Sequence, residues 1–126
     1  MKKGITNREV IAYVADRLPF ETKNKTMYGQ WQRRFKAQPL EPEYSSEMFV
    51  VYSYGPHFPM YAYDKALGVW VGNKDRYSNT TSRHQSHAHP GTVNHWLSTD
   101  SMRELTNIGS LTNYLTRILQ GQTYAQ

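Results

Sequence analysis

Apolar residues recur at helical spacing near both ends of the chain and in dense short runs in the middle. The N-terminal series is Val10, Ile11, Val14, Ala15 and Leu18. It follows Thr6-Asn7-Arg8-Glu9, which has the sequence of a capping box, and it stops before Pro19, which cannot continue a helix. This pattern predicts a helix over about residues 7–18.

The middle of the chain is rich in β-branched and aromatic residues, which favour strands. Three runs of this kind predict strands: Met48 to Tyr54, Phe58 to Tyr63, and Val69 to Gly72. A weaker run from Thr26 to Phe35 predicts a fourth. Since short connections join antiparallel neighbours, these strands are expected to form an antiparallel β-meander of three to four strands.

Helical spacing returns after residue 99. Ser101-Met102-Arg103-Glu104 is a second capping box, which predicts a helix ending near Gly109. Ser110 is expected to cap another helix that ends at Gly121. The predicted fold is therefore α+β, with an N-terminal helix, the meander and C-terminal helices over residues 99–121. Residues 1–126 are expected to form a single domain.

Composition narrows the possible classes of protein. Only 38% of the residues are hydrophobic, so the core has to rely on the 10 tyrosines, 3 tryptophans and 4 phenylalanines. The chain has no cysteine, which excludes disulfides and thiolate metal sites. It also has no long apolar run and no signal-peptide pattern. These features predict a soluble protein of the cytoplasm that does not enter a membrane.

The net charge of +5 is concentrated near the N-terminus. Residues 1–36 carry nine cations and three acids, whereas the rest of the chain is nearly neutral. A basic end on a neutral body is typical of proteins with an anionic partner, such as nucleic acid or an acidic protein surface. A solvated surface with no partner gives the same pattern.

Hydroxyls, a cation and histidines are most concentrated from Tyr77 to Ser86, just before His87-Ala88-His89. Asn, Ser and Thr cap helices well, so this run predicts a capped turn that presents Arg83, His84 and His87. The same run is also suited to a buried hydrogen-bond network that fixes the fold.

The histidines raise the possibility of a zinc site. On a short helix, His84 and His87 share a face, and His57 and His89 are the other candidate ligands. The spacing matches no strong zinc signature. No serine elbow and no glycine-rich phosphate loop is present either, so the sequence favours a protein that is not an enzyme. A zinc-dependent hydrolase stays the second alternative.

Cations lie next to aromatic residues in two places, which is typical of non-sequence-specific nucleic-acid binding. Arg33, Arg34 and Lys36 adjoin Trp31 and Phe35. Lys74, Arg76 and Arg83 lie around Tyr77. The candidate partner-binding residues are Arg33, Arg34, Lys36, Lys74, Arg76, Tyr77, Thr80, Thr81, Arg83 and His84.

Two segments, Val51-Tyr52-Ser53-Tyr54-Gly55-Pro56-His57-Phe58-Pro59 and Tyr77-Ser78-Asn79-Thr80-Thr81-Ser82-Arg83-His84-Gln85, resemble a group of small proteins from bacteriophages, prophages and plasmids. That group, of uncharacterised function, shares the order Y-S-Y-G-x-H-F-P, a few strands, then Y-S-x-T-T-S-[RK]-H-Q. The resemblance covers about residues 5–90. It implies an origin on a mobile element, and the pattern suggests that His57 and His84 face one another.

Small proteins of mobile elements usually act by binding. The resemblance therefore implies an inhibitor or modulator of host defence machinery, similar to anti-CRISPR proteins, in the cytoplasm of the host cell. Its partner would be a host protein complex, such as a CRISPR effector, or nucleic acid. A nucleic-acid binding module is the first alternative, and the oligomeric state is left open.

Overall fold

The structure, a computed structural model, describes residues 1–32 and 47–125. One sheet contains seven strands, which lie side by side in chain order. They are β1 (Lys2–Ile5), β2 (Phe20–Thr22), β3 (Met27–Gln32), β4 (Met48–Ser53), β5 (Pro59–Asp64), β6 (Val69–Asn73) and β7 (His95–Leu97). A 3₁₀ turn (Asn7–Glu9) precedes the first of four helices: α1 (Val10–Ala15), α2 (Asn79–His87), α3 (Thr99–Ile108) and α4 (Leu111–Ala125).

The sheet is larger than the sequence predicts and is mixed. Strands β2 to β6 are antiparallel, but β1 is parallel to β2 and β7 is parallel to β6. The expected meander of three to four antiparallel strands is therefore wrong. The additional strands β1, β2 and β7 are only three or four residues long and carry little strand pattern. They are strands because a neighbouring strand supplies backbone partners, as Phe20 does for Lys2 and Val71 for His95.

Helices cover both faces of the sheet. Along β4, Phe49 belongs to one core cluster and the next residue, Val50, to the other, as the alternation of a strand requires. Val10 of α1 and Ala88 at the end of α2 pack with Phe49, whereas Met102 of α3 packs with Val50. Helix α1 connects the parallel strands β1 and β2, and α2 connects the parallel strands β6 and β7. Both connections start from strands of the same direction and move the same way across the sheet. Because such connections share one handedness, the two helices lie on the same face of the sheet.

The N-terminal capping box is confirmed, since the Thr6 N–H donates to Glu9 Oε1 at 3.0 Å. Helix α1 ends at Ala15, earlier than predicted, because Arg17 adopts a left-handed conformation with φ 54°. Gly109 ends α3 in the left-handed conformation expected of a C-terminal glycine.

Two predicted boundaries near the C-terminus are wrong. Helix α3 begins at Thr99 instead of Ser101, and the cap is Ser98, whose Oγ accepts from the Ser101 N–H at 3.3 Å. Helix α4 continues through Gly121 to Ala125. Among residues 1–32 and 47–125, no helix is both long and apolar enough to span a membrane.

The strand directions bring several loops to one edge of the sheet. Strands β1, β2, β4, β6 and β7 all run the same way, so their C-terminal ends lie along one border, called here the carboxyl edge. The chain leaves β4, β6 and β7 at this edge to enter the β4–β5 turn, α2 and α3, respectively. In sheets of this kind, the carboxyl ends of strands are the usual place for a ligand.

Candidate functional site

A buried serine and histidine connect β4 to α2 at the carboxyl edge. Ser53, the last residue of β4, has its Oγ 2.7 Å from Nδ1 of His84. Both residues are almost fully buried, with 2% and 3% of their surfaces exposed. Burial lowers the pKa of His84, and repulsion from His87 acts in the same direction. The His84 imidazole is therefore neutral at pH 7.

The run that the sequence predicts to form a capped turn forms the capped helix α2. Ser78 accepts from the Thr81 N–H through its Oγ, at 3.1 Å, and the helix then runs for nine residues. On its inner face, Gln85 Nε2 donates to the carbonyl oxygens of Asn73 and Asp75, both at 3.0 Å. The Tyr61 hydroxyl donates to the Gln85 carbonyl at 2.7 Å. The inner face of α2 is thus fixed to β5, β6 and the loop after β6 by hydrogen bonds.

Tyr54 follows Ser53 in a strained and exposed position. Its φ of 65° lies in the left-handed region, which is costly for a residue with a Cβ. The residue is 56% exposed, and its ring centroid lies 5.4 Å from that of His84. The Tyr54 N–H donates to the carbonyl of Thr26 at 2.7 Å, which holds the backbone in this conformation. Strained residues that persist in this way are concentrated at functional sites.

Next to Tyr54, the carboxyl edge contains a cleft of about 370 Å³. The β4–β5 turn, the start of α2 and the first turns of α3 all contribute to it. Its polar lining includes Ser53, Tyr54, His57, Tyr77, Thr81 and Arg103. Tyr77 is 67% exposed, and its ring packs edge-on against Phe58, with the centroids 5.2 Å apart. Two exposed tyrosines therefore line one cleft together with an arginine and a histidine.

An aspartate fixes α3 beside this cleft. Asp75 Oδ2 accepts from both the N–H and the Oγ1 of Thr99, each at 2.8 Å. These hydrogen bonds lower the pKa of Asp75, which stays ionised at neutral pH. One turn into the helix, Arg103 Nη2 lies 2.6 Å from Asp100 Oδ1 in an exposed ion pair. Among the residues that the structure describes, the partner of the Arg103 guanidinium is thus a solvated carboxylate.

Positive charge predominates at the carboxyl edge. The connections that leave this edge, and the first turns of the helices that follow, carry seven cations: Arg8, Lys23, Lys25, Lys74, Arg76, Arg83 and Arg103. They carry four acids: Glu9, Asp75, Asp100 and Glu104. Glu9 and Asp75 are hydrogen-bonded to Thr6 and Thr99. The edge therefore presents a net positive potential around the cleft.

The structure divides the predicted partner-binding residues among several places. Tyr77 and Thr81 line the cleft, and His84 is bonded to Ser53. Thr80 and Arg83 are exposed on α2, where Arg83 lines a separate shallow depression. The predicted group is therefore not one continuous surface.

Lys74 and Arg76 belong to the β7 side of the edge. The Lys74 N–H donates to the Leu97 carbonyl at 2.8 Å, and its side chain is exposed. Arg76 lies over the ring of Trp96, with Cζ 5.9 Å from the ring centroid, and Nη1 donates to the Asn73 carbonyl at 3.1 Å. Arg76 thus stabilises the exposed side of β7 and is not part of the cleft lining.

The predicted group of Arg33, Arg34 and Lys36 lies outside the described residues. Its expected stacking partner, Trp31, is within them and is half-buried against the core. The Trp31 ring packs edge-on against Phe49, with the centroids 5.4 Å apart, and its Nε1 donates to the Arg17 carbonyl at 2.9 Å. Trp31 is therefore part of the core.

The four histidines proposed as zinc ligands are not gathered at one point. Within residues 1–32 and 47–125, no three His, Asp or Glu side chains are close enough to share a metal ion. His84 bonds to Ser53, His57 lies in the exposed β4–β5 turn, and His89 packs against Tyr61. Ser53, and not His57, is thus the hydrogen-bond partner of His84.

Five lining residues are missing from the sequence-based set: Ser53, Tyr54, Phe58, Thr99 and Arg103. The first two stand at the end of β4 and just after it, so a tyrosine followed by glycine at the end of the predicted strand was the available signal. Nothing in the sequence marks Arg103, because it reaches the cleft only through the placement of α3 on the sheet.

Comparisons with known proteins supply no relative for this chain. No protein-family model matches it, and neither the curated proteins nor the solved structures include a match.

Proposed function

We propose that the protein acts by binding nucleic acid at the carboxyl edge, with Tyr54 and Tyr77 as stacking platforms. The observation that supports this most is the presence of two exposed tyrosines and an arginine in one cleft on a positively charged edge. Bases stack on exposed aromatic rings with little sequence preference, and cations around the rings hold the phosphates. The proposal therefore concerns single strands, whose bases are free to stack.

The strained backbone of Tyr54 supports the same assignment. A glycine at this position would avoid the left-handed penalty, yet the chain has a large ring there, mostly exposed to solvent. Its contact with His84 accounts for only part of that ring. A stacking role explains why the ring is present where packing alone does not require it.

Fluorescence anisotropy with a short fluorescein-labelled thymidine oligonucleotide tests the proposal. We expect binding that weakens as salt is raised. Removal of one stacking ring, in Tyr54→Gly or Tyr77→Ala, is expected to weaken binding about tenfold or more, since a stacked base contributes about 1–3 kcal/mol. Tyr54→Phe keeps the ring and is the matched control, expected to bind as the wild type does. Affinity that is independent of both rings and of salt would contradict the proposal.

The prediction of an inhibitor of host defence stays a prediction. An inhibitor that competes for guide or target nucleic acid would use this same edge, so the two hypotheses share a site. Pull-down from host lysate with and without nuclease separates them. Capture of a host defence complex that survives nuclease treatment, and is unaffected by Tyr54→Gly, would favour a protein partner over the nucleic-acid proposal.

A further inference from the structure

We infer that the cleft recognises the end of a nucleic-acid strand by binding its terminal phosphate monoester. This inference rests on the proposed function and specifies its ligand. It depends on three features of the described residues: the size of the cleft, its uncommitted hydrogen-bond donors, and the charge at the edge around it.

The size of the cleft limits what enters it. A volume of about 370 Å³ is near the lower limit for small-molecule sites, which span about 300–1,000 Å³. Three separate segments contribute its lining: the β4–β5 turn, α2 and α3. Helices α2 and α3 lie on opposite faces of the sheet. A recess of this kind suits one terminal group, with the rest of the strand lying along the charged edge outside.

Thr81 is the first donor available to a phosphate. Ser78 Oγ lies 3.0 Å from Thr81 Oγ1, and when it donates to Thr81 the Thr81 hydroxyl hydrogen is left for an acceptor in the cleft. Thr81 is 8% exposed, so this hydroxyl is held in place by its surroundings. A phosphate oxygen would supply that acceptor.

Arg103 is the second donor. A guanidinium has five N–H groups, and the ion pair with Asp100 uses Nη2 alone. Asp100 has 88% of its side chain exposed, so this pair is weak and does not prevent the guanidinium from binding a phosphate. His57, in the turn on the other side of Tyr54, adds an imidazole N–H donor to the same cleft.

The donors favour a terminal phosphate over an internal one because of charge. A phosphate monoester carries a charge of about −1.5 to −2 at pH 7 and has three strong acceptor oxygens. An internal diester carries a single negative charge and has two such oxygens free. Asp75, Asp100 and Glu104 are the acids near these donors in the chain, and none of them is among the described residues that line the cleft. The positive charge around the cleft is that of the seven cations of the carboxyl edge. Hydrogen bonds from a cation to a dianion are stronger than those to a monoanion.

Competition among four unlabelled thymidine strands of equal length tests the inference, with the labelled oligonucleotide as reporter. The strands have a 5′-phosphate, a 3′-phosphate, hydroxyls at both ends, or a closed circle without ends. We expect one phosphorylated strand to compete at least about tenfold better than the hydroxyl-ended and circular strands, a difference of about 1.4 kcal/mol. The better of the two phosphorylated strands identifies which end is bound.

Variants show whether the cleft causes the preference. Arg103→Gln and Thr81→Val are expected to abolish the advantage of the phosphorylated strand, so that it competes no better than the circular strand with the same variant. Arg117→Gln removes an exposed arginine of α4 outside the cleft and is the matched control. Thr81→Ser keeps the hydroxyl that Thr81→Val removes, so it should keep the preference. The comparison of these two variants separates loss of the donor from damage to the helix cap.

The possible outcomes separate the two proposals. Equal competition by all four strands would overturn the inference about strand ends while leaving nucleic-acid binding in place. A preference that persists in both cleft variants would also overturn it, because the end would then be bound elsewhere. If no strand binds at all, the proposed function fails and the inference fails with it.

Discussion

The hydroxyl of Ser53 and the imidazole of His84 join two segments that are 31 residues apart in the chain, with Oγ and Nδ1 separated by 2.7 Å. The two residues come from the end of β4 and from the middle of α2. The hydrogen bond between them fixes α2 to the end of β4, and this sets the position of Tyr54 and Thr81 at the cleft.

Ser53→Ala is expected to destabilise the protein. The substitution leaves Nδ1 of a buried imidazole without its partner, which costs about 1–3 kcal/mol. Urea unfolding measures the loss. Ser86→Ala, on the exposed side of α2, is the control and should change stability by less than about 0.5 kcal/mol. If the two substitutions lower the free energy of unfolding equally, the buried hydrogen bond does not stabilise the protein more than an exposed one does.

Stability is expected to fall as the pH is lowered below about 6.5. Burial lowers the pKa of His84 in the folded state, so the unfolded chain binds the proton more readily. The contribution of a neutral His84 is therefore fully present above 6.5 and is lost as the pH falls toward the folded-state pKa. Urea unfolding at a series of pH values measures this slope.

His84→Gln should reduce that slope, because glutamine does not titrate. His95→Gln, at an exposed position of β7, serves as the control for the loss of an exposed histidine. If the two variants give the same pH profile, the dependence arises from groups other than the buried imidazole.

Tyr54→Gly and Tyr54→Ala distinguish the strain of the backbone from the role of the ring. Both remove the ring, but alanine keeps the left-handed penalty of about 1–2 kcal/mol and glycine does not. We expect the glycine variant to be the more stable of the two by about 1 kcal/mol in urea unfolding, with nucleic-acid binding weakened equally in both. Equal stability would indicate that the backbone relaxes in the variants.

Gly29→Ala and Gly72→Ala test two close approaches within the sheet. A Cβ at Gly29 would lie 2.6 Å from Cε1 of Phe20 and 2.9 Å from Cζ of Phe49, both fully buried rings. The substitution should cost about 1–3 kcal/mol, because neither ring has space to move. At Gly72 the Cβ would meet Trp96 at 2.7 Å, but that ring is 43% exposed and can turn outward. Thermal unfolding should therefore show the larger loss for Gly29→Ala.

The strands with the strongest local preference were predictable from sequence, and the short ones were not. Strands β4 and β6 consist largely of β-branched and aromatic residues, and the predicted runs match them within one or two residues. Strand β1 consists of two lysines, a glycine and an isoleucine, which have no common strand preference. It is a strand because β2 lies beside it, and that depends on the crossover through α1, which local sequence does not encode.

The start of α3 illustrates the same limit for helix caps. Ser98 and Ser101 are equally good caps by residue type, and only Ser101 has a glutamate three residues later. The structure uses Ser98 because Asp75, which is 24 residues away, accepts from the N–H and the hydroxyl of Thr99. Local sequence rules favour Ser101 as the cap, but a contact between residues distant in the chain selects Ser98. It also places Arg103 at the cleft.

The two crossovers at the borders of the sheet have a consequence for the order of folding. The hairpins β4–β5 and β5–β6 connect residues close in the chain, so their loops close at low entropic cost. Strand β7 pairs with β6 only after the chain has passed through α2. We therefore expect the turn that carries Tyr54 and His57 to form early, and the walls supplied by α2 and α3 to be added late. The cleft would be among the last features to become complete, and a chain able to bind through it would be one that has finished folding.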